Sequence, residues 1–323
     1  MNTLYVMDPL ASLNLAGDST YMLMREGTRR GWPAAWCTPG DLYAREGAVP
    51  WARCQPVRAF PPDAGHEHVW EKGPWEECAL TDFDIVWMRK DPPFDMAYIF
   101  TTYLLEMATA LDRGERPRTR VYNRPAGLRS RNEKLFAMQF LGLTPPTLLS
   151  HEIKRIVDFA ESLPARVVLK PWDGNGGRGV LVTEKGDPNL RSMIELLTGE
   201  GRHYILAQQH LPAISEGDKR ILLVNGEPVG AMLRVPGPKD HRGNMHVGAT
   251  VHPCELTDRD REICHALAPT LKREGQLFVG IDVIGGFLTE INVTSPTGIQ
   301  EINRLYGLDV ERDVWDAIEG WPA

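Results

Sequence analysis

The sequence has few cysteines and no excess of positive charge, and each of these features excludes some classes of protein. Its five cysteines form no Cys-x-x-Cys pair, and an odd count in a chain of 323 residues argues against a disulfide framework. We therefore predict reduced thiols and a cytoplasmic protein. Lys and Arg number 36 against 43 Asp and Glu, so the net charge is -7. That balance gives no general attraction to nucleic acid or to an anionic membrane surface.

Long hydrophobic runs are also missing. The longest, at residues 96–111, is shorter than the roughly 20 residues that span a bilayer, and it contains Glu106. We interpret it as a buried helix. The N-terminus has no basic segment before an apolar core and reaches Asp8 early, which argues against a signal peptide. Hydrophobic residues still make up 42% of the chain, which is enough for sizeable cores in two or three domains.

Several familiar catalytic motifs do not occur. There is no Gly-x-Ser-x-Gly nucleophile elbow and no Walker A sequence, and the glycine-rich segment at 174–179 leads into a strand pattern rather than a helix. Three histidines, His241, His246 and His252, lack the spacing of a helical zinc pair. The sequence therefore gives no support for a nucleophile-elbow hydrolase, a P-loop enzyme or a Rossmann dinucleotide site.

The first third of the chain alternates strand-like and helix-like patterns. Strands are predicted at 4–7, 34–37, 85–88 and just before Asn123, with helices from Asp18 or Ser19 to Arg30 and at 96–111. A proline-rich, polar stretch at 48–74 separates them. Strand followed by helix, repeated, indicates a parallel sheet with covering helices.

Hairpins dominate the remainder. Strands at 166–170 and 180–183 flank the glycine-rich segment, and Asn225–Gly226 is a strong type I′ turn signal between two apolar strands. A third hairpin at 278–293 turns at Gly285–Gly286. Helices are predicted at 132–140, 151–162, 257–274 and 309–319. These patterns together predict an α/β unit followed by α+β units.

The glycine loop is the first candidate for chemistry. Gly174, Gly176, Gly177 and Gly179 leave backbone N–H groups open to phosphate oxygens. Lys170, at the end of the preceding strand, can aim a positive charge at phosphates under the loop, and Lys134 is a second candidate. The alternative is an ordinary solvent-exposed hairpin tip.

The third hairpin carries oxygen ligands. Side chains alternate along a strand, so Glu290 and Asn292 share one face, and Asp282 can lie across from them if the turn has about three residues. Two carboxylates and an amide on an otherwise apolar hairpin suit Mg²⁺ completed by substrate phosphates. The alternative is a polar outer face on an edge hairpin.

Charged groups near strand ends complete the candidates. Arginine forks can clamp carboxylate or phosphoryl oxygens, and the candidates are Arg220, Arg234 and Arg242, although surface ion pairs are the usual fate of an arginine. Arg89 and Asp91 follow a buried strand, and ligands bind at the carboxyl ends of parallel strands.

Five segments, taken together, resemble the bacterial glutathione synthetases of the ATP-grasp superfamily. They are MRKDPPFD (88–95), NEKLF (132–136), LKPWDGNGGRGV (169–180), LPAISEGDKRILLVNGEPV (211–229) and IDVIGGFLTEINVTSPTGIQEI (281–302). The resemblance implies an ATP-grasp fold with an N-terminal parallel-sheet α/β domain. It implies a substrate domain at 1–125, a central lid subdomain at 126–209 and a C-terminal subdomain with the metal site at 210–323.

The resemblance also implies roles for residues. Lys134 and Lys170 would contact nucleotide phosphates under the glycine loop, and Asp218 would lie near the nucleotide. The adenine would lie against Gln208, Gln209, His210 and Leu211. Mg²⁺, with Mn²⁺ as an alternative, would be held by Asp282, Glu290 and Asn292. The transferred phosphoryl group and the peptide carboxylate would face Arg220, Arg234 and Arg242, and substrate would be bound by Arg89, Asp91 and Ser295.

The activity so implied is the ATP-dependent joining of γ-glutamylcysteine and glycine through an acyl phosphate, in a homotetramer that takes only small-molecule substrates. One segment departs from the family pattern: after Arg242, bulky residues stand where glycines are common. Two alternatives therefore stay open. One is a related carboxylate–amine ligase with another acceptor or peptide, and the other is a nucleotide-binding regulator without catalysis.

Overall fold

The computed structural model describes residues 1–62, 65, 68–111, 118–174, 176–237 and 249–320. Three sheets follow one another along the chain. None of the helices in these ranges has both the length and the apolar character needed to cross a bilayer.

The first sheet holds the N-terminal strands in the order β3-β4-β2-β1-β7-β8, with β5 and β6 also paired to β4. Its strands are β1 Thr3–Met7, β2 Ala34–Cys37, β3 Leu42–Arg45, β4 Val49–Ala59, β5 Trp70–Lys72, β6 Glu76–Ala79, β7 Ile85–Arg89 and β8 Arg120–Tyr122. The strands β2, β1, β7 and β8 run parallel, which confirms the expected parallel sheet. Helices α1 (Ser19–Arg29) and α2 (Met96–Ala110) accompany it.

The stretch at 48–74 contains strands that the sequence patterns did not indicate. The eleven residues of β4 pair antiparallel with β2, β3, β5 and β6. Its inward positions include Ala52, Cys54 and Val57, so the alternation is real but small side chains blur it. Pro50 and Pro56 also argue against a strand, since proline cannot donate to the ladder.

The second sheet is antiparallel, in the order β11-β10-β12-β9, and follows the first along the chain. Its strands are β9 Thr147–Ser150, β10 Arg166–Pro171, β11 Leu181–Glu184 and β12 Ile205–Gln209. Two short helices precede it, α3 (Pro125–Ser130) and α4 (Glu133–Ala137), and two helices cover it, α5 (Ile153–Ser162) and α6 (Leu190–Thr198). Asn132 caps α4 as expected, but the helix ends at Ala137 instead of Phe140 because tight turns replace it there.

The third sheet is also antiparallel, in the order β15-β14-β13-β16-β17. Its strands are β13 Asp218–Val224, β14 Glu227–Val235, β15 Thr250–His252, β16 Phe278–Ile284 and β17 Phe287–Asn292, and its helices are α7 Asp258–Arg273, α8 Ile299–Tyr306 and α9 Val310–Glu319. The turn between β13 and β14 has positive φ at Asn225 and Gly226, which confirms the type I′ hairpin.

The C-terminal helices join the third sheet to the first. Trp315 of α9 donates its indole N–H to the Leu23 carbonyl of α1 at 2.9 Å, and its ring meets Trp87 of β7 edge-on. Leu222 of β13 belongs to the same buried cluster. The first and third sheets therefore share two buried clusters, while the second sheet has a separate one.

Candidate active site

Two hairpins from different sheets line one cavity of about 840 Å³. The β10–β11 hairpin, called the glycine hairpin below, contributes Gly174, Gly176 and Gly177. The β16–β17 hairpin, called the acidic hairpin, contributes Asp282, Glu290 and Asn292. Other predicted residues also line it: Asp91, Lys134, Lys170, Gln208, Gln209, His210, Leu211, Asp218, Arg220, Arg234 and Ser295. The sequence patterns thus identified residues that the fold brings together from all three sheets.

A β-bulge aligns the acidic hairpin. The turn is only two residues, Gly285–Gly286, where about three were expected, so a regular ladder would set Asp282 opposite Thr289. The register shifts between Asp282 and Val283, which makes Glu290 the partner of Asp282. Because the bulge inserts one residue, it restores the shared face that a longer turn would have given.

Asp282 is buried between two arginines. Its Oδ1 accepts from Arg220 Nε at 2.5 Å and lies 3.0 Å from a terminal nitrogen of Arg234, and its Oδ2 accepts from Arg220 at 3.0 Å. Burial opposes ionisation, but the two guanidinium groups outweigh it and hold the pKa of Asp282 well below its ordinary value. This carboxylate is therefore a fixed negative charge in the cavity wall.

Asp218 is less well neutralised. One of its oxygens, Oδ2, accepts from Arg234 at 2.5 Å, but the buried Oδ1 has no hydrogen-bond partner among the described residues. Burial, opposed by Arg234 and aided by the charge of Asp282, raises the pKa of Asp218 to about 7. We attribute the difference between the two pKa values to the number of arginine partners, because Asp282 contacts both Arg220 and Arg234 whereas Asp218 contacts Arg234 alone.

Two lysines supply positive charge on the opposite side. Lys134 Nζ donates to the Gly174 carbonyl at 2.5 Å and lies 3.6 Å from Glu290 Oε1, so it touches both hairpins. Lys170 Nζ donates to Gln208 Oε1 at 3.1 Å. Burial lowers the pKa of Lys170, whereas Glu290 and Glu133 outweigh burial and raise the pKa of Lys134.

The strand β12 forms a wall. Gln208 is fixed from both sides, because it also donates its Nε2 to Thr147 Oγ1 at 2.9 Å. Gln209, His210 and Leu211 follow it along the cavity. The wall thus combines amide groups and an apolar side chain, a lining that suits a flat heteroaromatic ligand.

Arg89 and Arg242 stand apart from the other predicted site residues. Arg89 is not among the described residues that line the cavity; it is buried behind them, donating to Thr20 Oγ1 at 3.0 Å and to the Pro296 carbonyl at 3.1 Å. Ser295, which does line the cavity, donates to the Arg89 carbonyl at 3.4 Å. Arg242 and the altered segment after it lie outside the described residues, apart from positions 249 and 250.

Glu133 lines the cavity although no pattern singled it out. It accepts from Thr294 Oγ1 at 2.6 Å, and burial raises its pKa against the influence of Lys134. The sequence feature that could have identified Glu133 is its position as the first residue of α4, immediately before a candidate lysine. An acid at a helix start is also a common capping feature, which hides such a role.

The residues at the acidic hairpin suit a hard divalent cation. All three candidate ligands carry oxygen donors, and Asn292 donates its Nδ2 to Asp282 at 3.3 Å, which leaves the amide oxygen as the atom that could bind a cation. Asp218 Oδ1, which has no hydrogen-bond partner within the described part of the chain, is a further oxygen that a ligand could engage.

Comparison with known proteins decides the family. The chain matches the N-terminal domain of prokaryotic glutathione synthetase over residues 1–129 and the ATP-grasp domain of the same family over residues 133–307. The chain belongs to the prokaryotic glutathione synthetases. Glutathione synthetases of Thermosynechococcus vestitus and Agrobacterium fabrum are 44% and 42% identical to it. The alignments cover 97% and 98% of this chain and 98% and 96% of those proteins.

Solved structures confirm the ATP-grasp fold. D-cycloserine synthetase DcsG superposes with a TM-score of 0.64 at 14% identity, with 98% of each chain covered. The ATP-grasp ligase PsnB superposes with a TM-score of 0.60 at 16% identity, again with 98% of each chain covered. At such identities these structures bear on the fold alone. The family assignment makes the chain an ATP-dependent ligase of glutathione synthesis, as the resemblance implied.

Proposed function

We propose that the cavity between the two hairpins joins γ-glutamylcysteine to glycine, with ATP as the source of energy and an acyl phosphate as the intermediate. The observation that carries the proposal is the position of Lys134, which contacts the glycine hairpin at Gly174 and lies beside Glu290 of the acidic hairpin. A single lysine in contact with both is placed to hold a triphosphate that both enclose.

The nucleotide would lie between the second and third sheets. Lys134 and Lys170 would hold its phosphates, with backbone N–H groups of Gly174, Gly176 and Gly177 above them. The adenine would lie along β12 and the residues that follow it, against Gln208, Gln209, His210 and Leu211. Asp218, whose Oδ1 lacks a partner among the described residues, would meet the nucleotide from the third sheet.

Asp282, Glu290 and Asn292 would hold Mg²⁺, or Mn²⁺ in its place, because all three offer the oxygen donors that hard cations prefer. Such an ion draws charge from the phosphate oxygens. Asp282 already balances the charge of Arg220 and Arg234, so a cation at Asp282 would leave both guanidinium groups more able to interact with substrate oxygens.

The chemistry then needs two steps. An oxygen of the γ-glutamylcysteine carboxylate attacks the γ-phosphorus of ATP, so that an O–P bond forms and ADP leaves. The neutral amine of glycine next attacks the acyl carbon, and phosphate leaves as the amide bond forms. Arg220, Arg234 and Arg242 would stabilise the negative charge that develops on the phosphoryl and carbonyl oxygens.

The peptide substrate would enter from the first sheet. Asp91 and Ser295 line the cavity there, and Arg89 lies directly behind Ser295. Arg89 would act through Ser295 and the Pro296 carbonyl that it holds. This assignment supports a division into a substrate domain at 1–125, a lid subdomain at 126–209 and a metal-binding subdomain at 210–323, one for each sheet.

We also infer a cytoplasmic homo-oligomer, with the homotetramer of the family as the specific form. Met96, Phe100 and Tyr103 of α2 expose 45 to 60% of their area on one side of the helix. Such a cluster of large apolar side chains is typical of a subunit contact. Light scattering coupled to size-exclusion chromatography measures the mass directly, and a monomer would refute the inference.

Phosphate release tests the reaction. With ATP, Mg²⁺ and γ-glutamylcysteine, we expect release that depends on added glycine, and the product tripeptide should appear in equal amount by mass spectrometry. Release that requires another amine would point instead to a different acceptor. No release with any amine, while ATP still binds, would favour a regulator without catalysis.

A further inference from the structure

Two cysteines that are 24 residues apart in the chain lie next to each other in the first sheet. Cys54 of β4 and Cys78 of β6 lie on neighbouring antiparallel strands, in a register that pairs Cys54 with Glu76 and Ala52 with Cys78. The cysteines are therefore diagonal neighbours on one face. Their Sγ atoms are 2.7 Å apart. The full bond length of a disulfide is about 2.05 Å, so a shift of well under 1 Å would join them.

We propose that Cys54 and Cys78 form a reversible disulfide by exchange with a low-molecular-weight disulfide, such as the oxidised form of a thiol tripeptide. No step of the ligase reaction uses these residues. None of the residues of β4 or β6 is among the described residues that line the cavity. The pair is thus a modification site separate from the active site.

Solvent access fixes the order of the exchange. Cys54 is completely buried, whereas Cys78 of β6 is partly exposed. The sulfur of Cys78, as the thiolate, attacks the external disulfide, forms a mixed disulfide and releases one thiol. The sulfur of Cys54 then attacks Cys78, forms the Cys54–Cys78 bond and releases the second thiol. The two cysteine protons end on the two released thiols, so the external disulfide is the oxidant and is itself reduced.

A metal site is the competing interpretation, because Glu76 lies beside the two sulfurs with all three potential ligand atoms within 4.8 Å of one another. Two thiolates on a tetrahedral Zn²⁺, with bonds of about 2.3 Å, stand roughly 3.8 Å apart. The observed 2.7 Å is much shorter. The sulfurs would have to separate by more for a metal than they would approach for a bond, which favours the disulfide.

A third cysteine makes the pairing specific and testable. Cys37 ends β2, which pairs with β4 such that Trp36 is opposite Gln55, so Cys37 comes next to Cys54. Cys37 and Cys54 are both completely buried, and burial raises the thiol pKa of Cys37, Cys54 and Cys78 alike, so exposure and not acidity separates them. Of these three neighbouring cysteines only Cys78 is partly exposed, so an external disulfide reaches Cys78 first and the expected bond is Cys54–Cys78 and not Cys37–Cys54.

The experiment treats the purified, reduced full chain with glutathione disulfide, blocks remaining thiols with an alkylating agent and maps the peptides by mass spectrometry. We expect two of the five free thiols to be lost, a Cys54–Cys78 linked peptide and complete reversal by dithiothreitol. Because the link closes a loop between β4 and β6, the melting temperature should rise by roughly 5 °C in the oxidised form. Ligase activity of the reduced protein should match that of the reduced C78S variant.

Variants separate the mechanism from chance oxidation. C54A should stop at a stable mixed disulfide on Cys78, because the second thiol is missing, and in C78S the thiol of Cys54 should stay free. C264A is the matched control, since Cys264 is a buried thiol on α7, and it should behave like the wild type. A Cys37–Cys54 link, unchanged thiols in the wild type, or a stoichiometric bound metal that protects both thiols would overturn the proposal.

Discussion

The two hairpins that enclose the cavity differ in what lies beneath them. The core under the glycine hairpin comes entirely from the second sheet and its two helices, with Ile156, Leu169 and Ala207 among its members. The acidic hairpin lies on a core that mixes the first and third sheets, such as Leu4 with Ile281. Because a unit with a separate core can move as a body, we infer that the glycine hairpin opens and closes against a fixed acidic hairpin.

The two hairpins also differ in the polar groups that they present to the cavity. The acidic hairpin is held by charged hydrogen bonds between Asp282, Arg220 and Arg234. The glycine hairpin instead has positive φ at Gly176, Gly177 and Gly179. One side of the cavity therefore holds charges in a fixed geometry, and the other offers a backbone able to approach a ligand closely.

The strongest test of the fixed side is Glu290→Gln. The change keeps the shape of the side chain but removes a ligand charge, so we expect ATP turnover to fall about 10³-fold. Stability should change little, because the Glu290 side chain is 26% exposed and its lysine partner is 3.6 Å away. Glu262→Gln on α7, with a side chain 61% exposed, is the control. Near-normal turnover in Glu290→Gln would remove the metal assignment.

Two leucine substitutions test whether the cores are separate. Leu169→Ala in the second sheet and Leu222→Ala in the shared core each empty a fully buried site, at about 3 kcal/mol. Hydrogen exchange should speed up only within 147–209 for Leu169→Ala, but in both the first and third sheets for Leu222→Ala. Equal loss of protection throughout the chain in both variants would show a single cooperative unit.

A smaller effect is expected at the glycine tip. Gly179 has φ of +70°, and an added Cβ would lie 3.0 Å from Pro171 Cγ, so Gly179→Ala strains the loop by about 1 kcal/mol or more. The KM for ATP should rise about five- to tenfold. Gly186→Ala is matched to it, since Gly186 follows β11 with φ of +78° and has no atom within 4 Å of the new Cβ. A similar rise in both variants would mean that the tip does not touch the nucleotide.

A last test concerns pH. A carboxyl group whose pKa is raised on folding, as that of Asp218 is to about 7, holds its proton more tightly in the folded chain. Its contribution to the free energy of unfolding therefore decreases as pH rises from about 4 to 7. Asp218→Asn should remove that decrease in melting temperatures measured across this range. Asp158→Asn, at an exposed site on α5, should follow the wild type.

Local patterns predicted much of the fold because they act within a few residues. The type I′ turn at Asn225–Gly226 and the Asn132 cap need no distant partner, and both are confirmed. The strand β4 was missed because its small inward side chains and its prolines conceal the alternation. Its partners, β2, β3, β5 and β6, become visible only when the sheet is assembled.

The sequence by itself determined which groups could do chemistry: glycines for close approach, lysines and arginines for anions, and carboxylate and amide oxygens for a cation. Those properties belong to each residue type wherever it stands. Tertiary structure alone decided that a bulge sets Glu290 opposite Asp282. It also decided that Asp282 pairs with both Arg220 and Arg234, while Asp218 pairs with Arg234 alone. Register and charge sharing depend on groups far apart in the chain, whose distances exist only once the sheets have packed.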